Sequence, residues 1–172
     1  MMSVRPVSSA DFQAIADIYN YYVAHSVATF DEVTVSVADI EHRVAKVKAH
    51  RLPWFVAEDG PNNVLGYGYA NPWKTRSAFR FTVELTVYLS CEARSQGWGT
   101  KLYSAVLGDL KESPVKTVVA GITLPNPASV AIHEKFGLRK VAHFENVGFK
   151  FERWLDVGYW QADMDEIITQ WH

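Results

Sequence analysis

The sequence contains a single cysteine, Cys91, in 172 residues. No intrachain disulfide can form, so the fold must rest on a packed core. A chain of this length can bury roughly two thirds of its unfolded surface without a covalent staple. Cys91 reads as a small apolar residue in a turn after a strand rather than as a nucleophile. No apolar run approaches the ~20 residues that cross a bilayer, and the N-terminus lacks the charged-then-apolar-then-small pattern of a secretion signal. These absences lead us to expect a soluble cytoplasmic protein with no membrane partner. Excess charge of one sign is also missing: 17 Lys and Arg oppose 19 Asp and Glu. That balance argues against a nucleic-acid partner, which needs a basic excess, but a local cluster would still suffice for a small anion. His25, His42, His50, His143 and His172 show no metal-ligand spacing, so no metal is expected. Repeats, low-complexity tracts and linker-like runs are absent. With 48% apolar and 21% charged residues, the composition is that of one globular domain over residues 1–172.

Strand-like and helix-like segments alternate from end to end, the pattern of an α/β domain. Ser3 to Val7 reads as a short strand. Ser8 and Asp11 form a capping box, and Phe12, Ile15, Ile18, Tyr19 and Tyr22 follow at helical spacing. His25 to Val35 is aperiodic and reads as a loop. A second box, Ser36 with Asp39, opens a helix with Ile40, Val44 and Val47 on one face. Pro53 to Glu58 and Val64 to Ala70 flank turn residues and read as a hairpin. Phe79 to Ser90 is a long strand in which Val83, Leu85, Val87 and Leu89 alternate with more polar positions. A third helix starts at Gly97. Thr117 to Ile122 reads as a buried strand. A fourth helix opens at Pro127 and ends at Gly137. Strands over about Arg139 to Val147 and Trp154 to Met164 complete the chain. The expected order is one parallel crossover after the long strand, then an antiparallel return.

The strongest local signal is Arg94-Ser95-Gln96-Gly97-Trp98-Gly99-Thr100, which follows a strand directly and opens a helix. A helix start leaves its first amides without internal partners, and its aligned dipoles favour an anion. Glycine lets the backbone approach a phosphate closely. The spacing is neither the G-K-[ST] of a P-loop nor G-x-G-x-x-G.

That segment resembles the GNAT acetyltransferase signature [R/Q]-x-x-G-x-[G/A]. Leu124-Pro125-Asn126-Pro127-Ala128-Ser129 with His133-Glu134-Lys135-Phe136-Gly137-Leu138 resembles the same family's N-x-x-[AS] segment and its following helix. Gly66 to Arg76, Phe81 to Tyr88, Val147-Gly148-Phe149-Lys150 and Arg153 to Gln161 are similar to the phosphinothricin and methionine-sulfoximine acetyltransferase group.

The resemblance implies a GNAT fold, a mixed central sheet of about seven strands with about four helices on its faces. It also implies acetyl-CoA as co-substrate, held in a cleft where the two central parallel strands splay apart. Backbone groups of Val87, Tyr88 and Leu89 would bind the pantetheine and polarise the thioester. Arg94, Ser95, Gln96, Gly97, Trp98, Gly99 and Thr100 would cradle the pyrophosphate, and Asn126 would hold the pantetheine arm. Glu84 falls on the family's catalytic carboxylate and His133 on its helix position for a proton donor to the thiolate. Phe30, Lys74, Arg76 and Tyr103 fall on the acceptor pocket. Arg suits a carboxylate or phosphinate there. Phe79 and Arg80 stand where some relatives carry Tyr and Asp, a departure that bears on the acceptor. The expected partner is a small-molecule amine, an amino-acid analogue such as phosphinothricin or methionine sulfoximine. A polyamine or protein N-terminus as acceptor, and a non-catalytic acyl-CoA sensor, are the alternatives. The family also implies a homodimer.

Overall fold

The computed structural model describes residues 2–169, so His172 lies outside the described residues. Strand β1 (Met2–Pro6) leads into α1 (Phe12–His25) through a short 3-10 turn. There the Ser8 amide and hydroxyl both donate to Asp11 Oδ2, at 2.7 and 3.0 Å. The second box opens α2 (Val37–Ala49). The Asp39 amide donates to Ser36 Oγ at 3.1 Å, and the Ser36 amide to Asp39 Oδ2 at 2.7 Å. Strands β2 (Trp54–Asp59) and β3 (Val64–Pro72) form the expected hairpin, followed by β4 (Thr82–Leu89). β4 is shorter than the expected Phe79–Ser90 because Ser77–Phe79 and Cys91–Ala93 each wind into one 3-10 turn. Helix α3 (Trp98–Leu110), strand β5 (Thr117–Leu124) and helix α4 (Pro127–Lys135) come next. Strands β6 (Arg139–Lys150) and β7 (Arg153–Asp163) close the chain. β6 outruns its expected end at Val147 because the hairpin turns tightly through Phe151 and Glu152, both at positive φ (52° and 58°).

The seven strands form one sheet in the order β1-β2-β3-β4-β5-β7-β6. All neighbours are antiparallel except β4 and β5. One face is covered by α1 and α2, whose Ile15, Ile18, Ile40, Val44 and Val47 pack on Trp54, Val56 and Tyr67. On the other face Tyr103, Val106, Leu107 and Leu110 of α3 pack on Val83, Leu85, Val118 and Ile122.

The β4–β5 ladder is brief. It pairs Thr82 with Thr117, Val83 with Val118 and Glu84 with Val119, and stops. β4 nevertheless stays paired with β3 as far as Leu89, and β5 with β7 as far as Leu124. Each strand follows its other neighbour, so the sheet splits between them beyond Glu84.

Helix α4 ends in a Schellman motif. The Leu138 amide donates to the His133 carbonyl at 3.1 Å and the Gly137 amide to the Glu134 carbonyl at 3.0 Å, which satisfies carbonyls that a helix end leaves open. Gly137 has φ +95°, and a Cβ there would sit 2.9 Å from the Glu166 carbonyl oxygen. Gly137→Ala is therefore expected to destabilise the fold by about 1–3 kcal/mol. A urea titration should show a lower midpoint with an unchanged slope.

Candidate active site

A cavity of about 700 Å³ occupies the split between β4 and β5. Its walls come from both faces of the sheet, since residues of the segment after α1 and residues of α3 and α4 all line it. The split also frees backbone groups. The Ser90 amide donates to the Leu65 carbonyl at 2.8 Å. Backbone polar groups alternate sides along a strand, so Thr86 and Tyr88 address β3, whereas Val87 and Leu89 address the opening. Tyr88 is among the residues that line the cavity, with its amide and carbonyl turned toward β3. The Leu89 carbonyl accepts from the Tyr22 hydroxyl at 2.6 Å. The backbone of Val87 is left facing a gap where β5 no longer runs alongside.

Glu84 stands at the last rung before the split and lines the cavity. Burial raises its pKa above the ordinary carboxylate value, opposed by the Gly121 amide, which donates to it, and by the positive charge of Lys74. Gly121 makes room for it: a Cβ at Gly121 would come 3.4 Å from Glu84 Oε1 and 3.3 Å from the Tyr159 ring. A partly desolvated carboxyl with one backbone donor is basic enough to take a proton and short enough of partners to present an oxygen to the cavity.

At the other end lies the start of α3. Gly97 is its N-cap with φ +83°, and Ser95 also adopts positive φ, 61°. Successive amides in such a turn point inward around an anion-sized hollow. The first helical bond runs from the Lys101 amide to the Gly97 carbonyl, so the amides of Trp98, Gly99 and Thr100 precede it. Arg94, Ser95 and Gly99 line the cavity, and Arg94 lies over the rings of Tyr21 and Tyr22. Gly99 serves packing as well, since a Cβ there would come 2.9 Å from the Ile132 side chain. The other side chains of the segment point elsewhere. Trp98 is buried in a core with Ala57, Leu65 and Leu102. Gln96 is exposed and donates to the Glu92 carbonyl at 2.6 Å. Thr100 lines a separate shallow groove beside Met2 and Lys101. What these three can offer an anion is their backbone. Donors of this kind fit a pyrophosphate, and the split fits an extended arm. Asn126 lines the cavity as the N-cap of α4, its carboxamide oxygen accepting from the Ser129 amide at 3.2 Å. Its NH₂ is the group left for a ligand.

His133 is buried, 4% exposed. Its Nδ1 lies 2.6 Å from the Ser129 carbonyl, and its Nε2 lies 2.8 Å from the Tyr103 hydroxyl. A carbonyl only accepts, so Nδ1 carries the hydrogen. Burial lowers the imidazole pKa, which keeps the ring neutral, so Nε2 accepts and Tyr103 donates. Both nitrogens are engaged. Any proton that His133 exchanges with the cavity passes through the Tyr103 hydroxyl. Burial pushes the Tyr103 pKa far up, with the nearby Glu84 charge adding to it, so the phenol stays protonated. Tyr103, expected only to line the acceptor pocket, is thus the partner of His133.

Of the other acceptor-pocket residues, Phe30 lines the cavity. Lys74 and Arg76 do not: both are exposed on the stretch after β3, and Lys74 reaches the site through its field on Glu84. Sequence reasoning missed Tyr22, Thr29, Ser129 and Tyr159, all of which line the cavity. It also missed Gly121. A lone glycine inside a β-branched strand was the available signal. Among the described residues, no three His, Cys, Asp or Glu side chains cluster as a metal site would require.

Comparison with known proteins agrees with this geometry. Residues 4–158 match the acetyltransferase (GNAT) domain family. The chain is 37% identical to a phosphinothricin N-acetyltransferase of Streptomyces viridochromogenes, over 95% of this chain and 88% of that one. It is 35% identical to an L-methionine sulfoximine/L-methionine sulfone acetyltransferase of Salmonella typhimurium, over 96% of both. Among solved structures, a GNAT phosphinothricin acetyltransferase from Sinorhizobium meliloti in complex with AcCoA superposes with a TM-score of 0.91 at 34% identity, covering 94% of this chain and 88% of that one. The seven-stranded sheet split between its parallel strands is the GNAT fold, and the chain belongs to the GNAT acetyltransferase family.

Proposed function

We propose that the protein transfers an acetyl group from acetyl-CoA to the amino group of a small amino-acid-like acceptor of the phosphinothricin or methionine-sulfoximine kind. The observation that carries this reading is Glu84 at the point where the parallel ladder stops, inside the cavity and with its pKa raised by burial. An amine attacks only as the free base, and a carboxylate within reach, directly or through one water, takes the proton it sheds. The Val87 amide, freed by the split, donates to the thioester oxygen as charge develops there. The amides from Ser95 to Thr100 hold the pyrophosphate, and Asn126 holds the arm. Tyr103 mediates proton exchange at the departing sulfur, and His133 fixes its hydroxyl. The acceptor enters between Phe30, Tyr159 and Glu84, with Lys74 and Arg76 supplying a positive field at the approach. Near-balanced charge goes with a small-molecule partner, and an exposed unpaired Cys91 goes with a reducing cytoplasmic location.

Glu84→Gln tests the base. Turnover with phosphinothricin, methionine sulfoximine or methionine sulfone should fall about 10²–10⁴-fold, with acetyl-CoA binding retained. Equal loss of acetyl-CoA binding, or turnover with only spermidine or a peptide, would overturn the assignment. The raised pKa also fixes two signs. The acid limb of wild-type kcat/KM should lie above the ordinary Glu value of about 4.3. The native state holds this proton to higher pH than the unfolded chain does, so wild-type stability falls as pH rises through that window. Glu84→Gln removes the effect. Its melting temperature relative to wild type should therefore be higher at pH 7.5 than at pH 4.

A double-mutant cycle tests the Tyr103–His133 pair. Tyr103→Phe and His133→Ala should each lower kcat more than they raise the acceptor KM. Together they should cost little more than either alone, because the two act as one unit. Additive losses would separate their roles.

A homodimer is part of the same reading. β6 has a strand neighbour on one side only, and Val147, Phe149, Phe151 and Trp154 around its end are 50–64% exposed. Aromatic patches of this kind cover themselves against a partner. Light scattering should give twice the 19.4 kDa chain mass, shifted toward monomer by Trp154→Glu. A monomeric wild type would remove the dimer from the proposal.

A further inference from the structure

The segment joining α1 to α2 forms one wall of the cavity. Ser26, Ala28, Thr29 and Phe30 all line it. Within its own half of the molecule the segment is tied to helix side chains. The Asn20 carboxamide bonds both the carbonyl and the amide of Val35, at 2.9 and 2.8 Å. The Tyr19 hydroxyl bonds Thr29 Oγ1 at 2.8 Å and also the Asp31 carboxylate.

A second set of contacts arrives from the opposite side of the split. β6 lies at the far edge of the sheet, beyond β5 and β7, yet its last residue, Lys150, is 1% exposed. The Lys150 ammonium donates to the carbonyls of Ser26 at 2.7 Å, Thr29 at 2.9 Å and Tyr22 at 3.4 Å. An ammonium has three hydrogens, and three carbonyls take them. Tyr22 lies in the last turn of α1 and Ser26 is its C-cap, where a helix dipole favours a cation. Two residues earlier, on the same side of β6, Gly148 lies under Phe30. A Cβ there would come 2.4–3.0 Å from the ring atoms. Immediately after Lys150 the chain turns through Phe151 and Glu152, two non-glycine residues at positive φ. Positive φ at both positions is the twist-matched form of a two-residue hairpin turn, which fixes where β6 ends and so where Lys150 stands.

We infer that Gly148 and Lys150 act as a clamp across the active-site split, with Lys150 a positioning residue that sets the Ser26–Phe30 wall and thereby acceptor recognition. The inference rests on the acceptor entering beside Phe30. Neither residue lines the cavity, so both act through the wall. The acetyl-CoA end, built on β4, α3 and Asn126, meets this wall through two tyrosine hydroxyls, Tyr22 donating to the Leu89 carbonyl at 2.6 Å and Tyr88 to the Ala28 carbonyl at 3.4 Å, and neither bond runs through the side chain of Lys150 or through Gly148. Loosening the clamp should therefore separate the two substrates.

Two variants test this. Lys150→Met keeps the length and removes the donors, and Gly148→Ala pushes Phe30 without touching the ammonium. In each, hydrogen exchange over residues 26–31 should quicken while α3 and β5 keep wild-type protection. The acceptor KM should rise about tenfold or more, as a displaced positioning wall demands, with the acetyl-CoA KM held within about twofold. Unchanged exchange over 26–31 in both variants overturns the clamp whatever the acceptor proves to be. So does an equal rise in both KM values. If Lys150→Met does not fold, Gly148→Ala decides on the same two readouts. A wild type that ignores all the amino-acid analogues would sink the substrate reading alone, since the exchange measurement still decides the clamp.

Discussion

The active site depends on a ladder that stops after three rungs. Two parallel strands that pair at Thr82–Thr117, Val83–Val118 and Glu84–Val119 and then part cost the sheet the hydrogen bonds of every later rung. A buried backbone group left unpaired costs about 1–3 kcal/mol. The gap is tolerable because it is a cavity that water or a ligand can enter, and because β3 and β7 hold the strands on their outer sides. The split yields three things at once. It frees the Val87 backbone, it places Glu84 at the crotch, and it gives α3 and α4 a passage to the opposite face of the sheet.

Glu84, His133 and Lys150 are all withdrawn from water here, and each is handled differently. Glu84 keeps few partners, and its proton affinity rises. His133 has both nitrogens bonded and its pKa lowered, which fixes its tautomer and makes it an acceptor. Lys150 meets three carbonyls, which compensate an ammonium without adding an opposite charge. Burial lowers the Lys150 pKa, and the nearby charges of Glu32 and Asp31 work against that. The difference matches the proposed roles: the group that would exchange a proton is under-satisfied, and the groups that would hold geometry are saturated.

Much of the fold was legible because its signals are local. Both capping boxes mark real helix starts. Gly137 ends α4, and the alternation along β4 separates the two sheet faces. The strand ends were less legible. Nothing in Phe79–Phe81 or Ser90–Cys91 announces that a neighbouring 3-10 turn takes residues that would otherwise extend the strand. In the site, the helix start at Gly97 and the cap at Asn126 were legible as local structure, but where the side chains of residues 94–100 point was not. Trp98 carries its ring into the core although its amide is one of those a helix start leaves without an internal partner, because a helix start separates where an N–H points from where a side chain goes. Lys74 and Arg76 stand on acceptor-pocket positions by resemblance, and only three dimensions show that both are exposed while Tyr103 turns inward to His133.

The two ends of the cavity are encoded in different ways. On the proposed function, the cofactor end is written in short segments, residues 94–100 and 126–133, whose work would be done by backbone amides and one cap. Such devices tolerate wide variation in the surrounding side chains, and they show in a sequence as spacing. The acceptor end is assembled from residues far apart in the chain: Lys150 reaches Ser26 across 124 positions, and Phe30 rests on Gly148. No local pattern records such a pairing. The two ends touch through the Tyr22–Leu89 and Tyr88–Ala28 hydrogen bonds, and neither bond runs through the side chain of Lys150 or through Gly148. On the proposed function, the two substrates meet where the Val87 amide faces the thioester and the amine loses its proton to Glu84. That residue sits on the last rung before the strands part, the one place along the split that both neighbours still hold fixed.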